Sequence, residues 1–392
     1  MPLSSETLRF GRDLTTALLG VDRFYRRESG DEDGLAVLNL DEAGEFQPAP
    51  FDSYEDARRR FTDLRARAGG LPEADRRVYY DQVCHSTLAF ITWRSSALPF
   101  TAQLADFLHV PPAPATEVEL DRLRAEMRTL LTHLGYQGDL AAQCSAWEER
   151  HRVPATDVPA VLTELMSEAW DRTEERLFPI PAPKSDGMKI VAVSGAAFNA
   201  RCNYLHRQVE INTDPVLTKP GLKHLAVHEG YPGHYVQFKL RHQGYLDGTA
   251  TADGLLSVVN TASSSVFEGI ADHGMAMLGW LDGDDDRLQS LMTRYRSGIG
   301  TVAAWRLHSL GESAEAVTDW LRSVALTGGE GWIANRMSFI AAPARAVLIW
   351  SYWWGEPTVA AAWNRVPPAR RAEFLAFLYG RMHSNPSAGM FS

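Results

Sequence analysis

The sequence predicts a mainly α protein, a large helical fold with a small β element. Apolar residues recur three and four positions apart through most of the long segments. Only Ile190 to Ser194 and Val209 to Asn212 read as short strands. The chain has 392 residues, 45% of them hydrophobic. A chain of that size buries about three-quarters of its unfolded surface, so a packed interior follows rather than disorder.

Glu6 to Arg26 reads as an initial helix, followed by an extended or looping segment through Pro50. Asp52 is placed to cap the next helix, on which Tyr54, Ala57, Phe61 and Leu64 recur at helical spacing. Gly69, Gly70 and Pro72 end it, and Val78 to Trp93 forms a further helix. Pro99 and the segment Val110-Pro111-Pro112-Ala113-Pro114 interrupt the pattern. Thr116 followed by Glu119 is a capping signal ahead of Leu120 to His133. Pro159 to Leu177 has a proline in its first turn and a stripe of Leu162, Leu165, Met166 and Trp170 for the core. After Pro179, Pro181 and Pro183 come the two strands, then helices around Pro220 to Leu240 and Thr261 to Leu281. Helical patterns resume over Leu288 to Leu310 and Ser313 to Val324, then over Ala342 to Trp354 and Arg370 to Arg381. No fixed-period repeat is present. The proline-rich break suggests an N-terminal helical layer over 1–183 and an enclosing C-terminal region over 184–392, integrated in one unit.

Composition excludes several classes. The net charge of -10, from 39 Lys plus Arg against 49 Asp plus Glu, argues against a basic nucleic-acid binder. Arg58-Arg59-Arg60 reads as a solvated helix face. No apolar run reaches the roughly 18 residues of a spanning helix, so no membrane partner is expected. Cys84, Cys144 and Cys202 are too scattered for a disulfide framework or a sulfur-rich metal cage. Met1 to Gly11 lacks a basic segment followed by an apolar core, which makes a cytoplasmic location the expectation. Glycine and proline near 230–233 lack the longer loop of a phosphate cradle, and Ser194-Gly195 lacks the context of a serine elbow.

The most informative stretch is His224-Leu-Ala-Val-His228-Glu229-Gly-Tyr-Pro232-Gly233-His234-Tyr-Val-Gln237. His228-Glu229 opens a zinc-hydrolase motif whose second histidine normally follows one turn later, where this chain has Pro232. Residues six apart stand about 240° apart on an ideal helix. His228 and His234 therefore converge only if the backbone bends, and Pro232 with Gly233 supplies a reason for a bend. His224 and His228, four apart, form the alternative ligand pair on the preceding helix. Glu268, in Val266-Phe-Glu268-Gly-Ile-Ala-Asp272-His273, is a third ligand candidate. Asp272 shares its helical face and is placed to orient a ligating imidazole. Two His and one Glu suit a catalytic zinc that keeps one exchangeable position, leaving Glu229 to accept a proton from water.

These residues resemble the DUF885 family, a gluzincin-like group of zinc metallopeptidases. The resemblance rests on His228-Glu229-Gly-Tyr-Pro232-Gly233-His234-Tyr-Val-Gln237 and Glu268-Gly269 through His273. Ile211-Asn212-Thr213-Asp214-Pro215 and Leu307-His308-Ser-Leu-Gly311-Glu-Ser313 add to it, over roughly residues 190 to 320. It implies a large helical zinc-metallohydrolase-like fold enclosing a catalytic cleft, zinc as cofactor, His228, His234 and Glu268 as ligands, and Glu229 as general base. The region Trp332 to Trp354 matches the family less well, and the chain is shorter than many relatives.

The expected activity is zinc-dependent hydrolysis of an amide or peptide bond in a small peptide or peptide-like metabolite. The tetrahedral intermediate needs a donor opposite the carboxylate. His308 is the first candidate for this catalytic polarisation, with Tyr295, Arg306 and Tyr352 as substrate-binding candidates. A metal-dependent biosynthetic lyase or isomerase is one alternative, motivated by the divergent C-terminal half. A noncatalytic protein-binding module is another, motivated by the missing next-turn histidine and by the aromatic tract Trp350-Ser-Tyr352-Trp353-Trp354.

Overall fold

The structure, a computed structural model, describes residues 3–30, 34–342 and 345–391. Residues 1–2, 31–33 and 343–344 of the segments read above lie outside the described set. Helix takes up 65% of the chain and strand 6%, which makes the protein mainly α. Among the described residues, no helix is long and apolar enough to cross a membrane.

α1 (Ser5–Ser29) begins at Ser4, whose hydroxyl accepts from the Thr7 amide, and stops at Gly30 in the left-handed region. β1 (Ala36–Asn39) precedes α2 (Tyr54–Ala68), which is capped by Ser53 rather than by the expected Asp52. α3 (Ala74–Ser95) is followed by α4 (Phe100–Leu108), a helix the sequence pattern did not suggest. Pro99, read as a break, is its N-cap, and at a helix start its missing N–H costs nothing. α5 (Glu117–His133) carries the expected box: Thr116 accepts from the Glu119 amide, and the Glu119 carboxylate accepts from the Thr116 amide. α6 (Leu140–His151) and α7 (Val158–Arg176) follow, with Leu162, Leu165, Met166 and Trp170 of α7 buried as predicted.

β2 (Lys189–Val193), β3 (Ala200–Asn203) and β4 (Gln208–Asn212) form a sheet in the order β2-β4-β3. β2 lies parallel to β4 and β3 antiparallel to it. α8 (Lys219–Leu225) leads into a π-helical turn, Ala226–Gly230, and then α9 (His234–Leu246). β5 (Leu256–Val258) pairs antiparallel with β1. The helices α10 (Ser264–Met277), α11 (Asp284–His308), α12 (Ala314–Val324) and α13 (Gly329–Ala341) come next. α14 (Ile349–Arg365), α15 (Arg371–Tyr379) and α16 (Asn385–Ala388) complete the chain.

The chain divides into two compact units, and the division does not fall at residue 183. One unit comprises Met1–Pro112, Gln237–Gly269 and Trp354–Ser392. Within it α2 packs on α3, and the buried Tyr80 hydroxyl donates to Asp253 at 2.8 Å. The other comprises Ala113–Val236 and Ile270–Trp353. In this second unit α5 packs on α11, and α7 packs on α8, the π turn and β2. Residues 113–183 thus belong with the segment from His224 to His234, because the apolar stripes of α5 and α7 are covered by helices farther along the chain.

The helix expected over Pro220 to Leu240 is the element that breaks. Pro232 lacks the N–H of a helical residue, and the Tyr231–Pro232 peptide is cis. The Tyr231 amide donates to Ala226 O at 3.2 Å and the Gly233 amide to Val227 O at 3.0 Å. A Cβ on Gly233 would run into the carbonyl oxygens of Val227 and His228, so glycine alone fits this fold of the backbone. Gly274 on α10 is similarly close: a Cβ there would stand 2.5 Å from Val227 Cγ1. Gly233→Ala is therefore expected to destabilise the protein by about 1–3 kcal/mol. Urea unfolding measures it, and an unchanged midpoint would mean that the backbone is looser here than described.

Candidate metal centre

His228 and Glu229 lie in the π-helical turn, His234 opens α9, and Glu268 and Asp272 sit one turn apart on α10. His228, Glu229, His234 and Glu268 are all buried. The bend between Gly230 and His234 brings the two imidazoles together, with ring centroids 4.6 Å apart and planes at 80°. One donor atom from each of His228, His234 and Glu268 lies within 4.8 Å of the other two. Single-turn π-helical insertions occur often at functional sites, and this one redirects His228 relative to a straight helix.

Asp272 fixes His228. Its Oδ1 lies 2.8 Å from His228 Nδ1. An ionised carboxylate only accepts, so Nδ1 carries the proton and Nε2 keeps its lone pair for a cation. Burial pushes the Asp272 carboxyl up, but the neighbouring His228 and His224 imidazoles outweigh it and hold the group well below the ordinary carboxylate range. His224 Nε2 is 3.4 Å from the same Oδ1, and His224, His228 and Asp272 form a second convergent trio. The open choice between His224 and His234 thus becomes a choice of what Asp272 does. With His234 and Glu268 as ligands, Asp272 remains the hydrogen-bond partner of His228; with His224, Asp272 would itself have to ligate. The first set, two imidazoles and a carboxylate with an oriented histidine, has the donor chemistry of a catalytic zinc site. Three carboxylates, Glu229, Glu268 and Asp272, sit among three imidazoles, and a dication offsets charge that is costly to bury alone.

His224, His228, Glu229 and Asp272 line one cavity of about 190 Å³ within the second unit. That is room for about a dozen water-sized groups, the scale of a short peptide. Cys202 on β3 is half-buried, and burial followed by the nearby Glu229 carboxylate pushes its thiol well up. A protonated thiol is a poor ligand and a poor nucleophile.

Of the four polar residues proposed for substrate and oxyanion contacts, Tyr352 alone lines this cavity. Tyr295 is buried, with its hydroxyl donating to Val324 O at 2.9 Å. Arg306 pairs with Glu312 at 2.8 Å and lies over the Trp320 ring. His308 closes α11, its Nε2 2.7 Å from the Ile340 carbonyl oxygen. The reason is helical phase. Gln289, Thr293 and Arg296 form the cavity-facing stripe of α11, and the three residues proposed from the sequence lie off it. In the aromatic tract, Trp350 and Trp353 are core residues, and the Trp350 indole donates to Ala113 O at 2.8 Å. Arg296 and Arg336 line the cavity as well. No local motif marks either one; only the packing of α11 on α13 brings them to the same wall.

No family model matches this sequence, and no curated protein matches it. Two solved structures share the fold. One, from Colwellia psychrerythraea and described as a "putative lipoprotein", has a TM-score of 0.56 at 14% identity, over 87% of this chain and 66% of its own. The other, from Shewanella oneidensis and described as "a putative lipoprotein of unknown function", has a TM-score of 0.51 at 13% identity, over 86% of this chain and 70% of its own. At such identities the likeness concerns the fold alone. This chain spans just under two thirds of the length of the first of them.

The two ligand sets separate by mutation. His234→Ala should abolish stoichiometric zinc binding, whereas His224→Ala should retain it. Asp272→Asn should weaken zinc affinity about 10- to 100-fold by releasing the His228 tautomer. Competition with a chromogenic chelator measures all three, and zinc loss in His224→Ala with retention in His234→Ala would reverse the assignment.

Proposed function

We propose that this protein is a zinc-dependent metallohydrolase that cleaves an amide or peptide bond in a small peptide or peptide-like metabolite. The observation that carries the reading is the convergence of His228, His234 and Glu268 beside Glu229, with Asp272 bonded to His228 Nδ1. Membership in the DUF885 family is part of the same proposal and rests on the motif residues. So is a cytoplasmic location, which would fail if the native protein were recovered in a membrane fraction.

Zinc held by His228, His234 and Glu268 would supply electrophilic polarisation of the acyl oxygen and a more acidic water. Glu229, adjacent to His228 and on the cavity wall, takes the proton from the attacking water and returns it to the leaving nitrogen. Asp272 keeps His228 in one tautomer through both transfers. Tyr352 presents a phenol to the same cavity and replaces His308 as the donor for the developing oxyanion. The enclosing walls favour a short substrate over a folded protein. Of the two motives for the binding-module alternative, the aromatic tract is the weaker, since Trp350 and Trp353 are buried and Tyr352 and Trp354 half-buried.

Purified, reconstituted protein should hold about one zinc per chain. Glu229→Gln should keep that zinc and lose about 10²- to 10⁴-fold in kcat. Tyr352→Phe should lower kcat by about 10²-fold with little change in KM. The measurement is hydrolysis of a panel of short peptides and acylated amino acids by the zinc-loaded protein. Absence of hydrolysis across that panel would remove the activity, and mass-neutral products would favour the isomerase alternative.

A further inference from the structure

The cavity wall opposite in chemistry to the carboxylate-rich centre is cationic. Arg296 projects from α11 and Arg336 from α13, and both line the cavity that holds His228 and Glu229. The two arginines are not equivalent. Arg296 pairs with Glu148 at 3.6 Å, and Glu148 also accepts from the Gly328 amide at 2.6 Å. Arg336 makes no hydrogen bond or ion pair among the described residues; its Nε, like that of Arg296, is buried without a partner. Its guanidinium lies 5.5 Å from the Trp332 ring centre and 5.6 Å from that of Phe339. Ring faces attract the charge but accept little from its N–H donors, so they explain its position and not its hydrogen-bonding capacity.

A structural role for a half-buried arginine would normally bring a carboxylate or carbonyl to those donors. Glu148 pairs with Arg296 and not with Arg336, which leaves the Arg336 charge without an ion-pair partner on this wall. Burial pulls Arg336 down to about 10, with Tyr352 opposing the shift and Arg296 adding to it. The group therefore stays protonated at neutral pH while poorly solvated. An incoming planar oxyanion would satisfy the fork of N–H donors and relieve that cost at once.

We infer that the substrate carries a free carboxylate that binds to Arg336, so that the scissile amide lies between this anchor and Glu229. The inference rests on the proposed hydrolase reading for the reaction and on Arg336 alone for the recognition. It names the substrate class: short peptides with a free C-terminus, or N-acyl amino acids, in preference to amidated or internal segments. The aromatic rings beside Arg336 suit an apolar side chain next to the carboxylate.

The test is a binding comparison that needs no turnover. Zinc-reconstituted Glu229→Gln protein is titrated calorimetrically with a panel of N-acetyl dipeptides and their C-terminal carboxamides. The carboxylates should bind about 10- to 100-fold more tightly than the matched carboxamides. Arg336→Met should erase that preference, and Arg336→Lys should restore only part of it, since an ammonium lacks the two-pronged geometry. Equal affinity of the matched pairs, binding of neither member, or a preference that survives Arg336→Met in a folded variant would overturn the inference. If Arg336→Met does not fold, the carboxylate–carboxamide comparison in the Arg336 protein decides alone. Carboxylate selectivity without hydrolysis by the unsubstituted enzyme would sink the hydrolase reading only. Hydrolysis of both forms at equal kcat/KM would sink the carboxylate anchor only.

Discussion

The candidate centre depends on one constraint, the turn of the chain between Gly230 and His234. Six residues along an uninterrupted helix would send His228 and His234 to different faces. The π-helical turn at Ala226–Gly230 and the bend after it, closed by the Tyr231 and Gly233 amides on the Ala226 and Val227 carbonyls, undo that separation. The backbone then passes so close to the Val227 and His228 carbonyls that Gly233 cannot carry a side chain. The motif therefore spaces its histidines wider than one turn and still brings them into contact. Its proline and glycine are the means of convergence, not damage to a helical motif.

α10 is the second support. Gly274 lets it press against Val227 and Pro232, which fixes its height relative to the bend. Once that height is set, Asp272 meets His228 Nδ1, and Glu268, one turn earlier, reaches the two imidazoles. A single helix register thus decides both a proposed ligand and the group that orients another. Lys223, near the end of α8, ties the same region to the start of α11 through Asp286 at 2.6 Å and Asp282 at 3.2 Å. The cavity-facing stripe of α11 is held in phase by this pairing as well as by apolar packing.

Helical periodicity made most of the fold legible: α1, α3, α5, α7, α11 and α12 fall where apolar spacing and caps put them. The misses have identifiable causes. α4 begins at a proline that reads equally well as a terminator. β1 and β5 pair across more than 200 residues, and no local pattern announces such a partner. In the site, local chemistry was readable wherever it lay in one segment: His228, Glu229 and His234 in one, Glu268 and Asp272 in another. Side-chain type points to His308, Arg306 and Tyr295 on α11, whereas the stripe of that helix that lines the cavity runs through Gln289, Thr293 and Arg296. Arg296 and Arg336 were not singled out, because an arginine on an amphipathic helix resembles a solvated surface charge until tertiary packing turns it inward.

The charge distribution gives these parts a common logic. Negative groups gather around the imidazoles, where a dication would balance them, and an excess guanidinium stands on another wall of the same cavity. A uniformly negative cavity would repel a carboxylate-bearing peptide from the metal, and a uniformly positive one would compete with the metal for its ligands. Separating the two signs across a small cavity avoids both, because charges partly shielded from solvent are weakly screened. Glu148 is part of that separation. By pairing with Arg296 and capturing the Gly328 amide, it neutralises one arginine and leaves Arg336 as the wall's net charge. Under the proposed hydrolase reading this arrangement would give direction as well as reactivity: an anionic end would have one favourable place to sit, with the bond next to it toward Glu229.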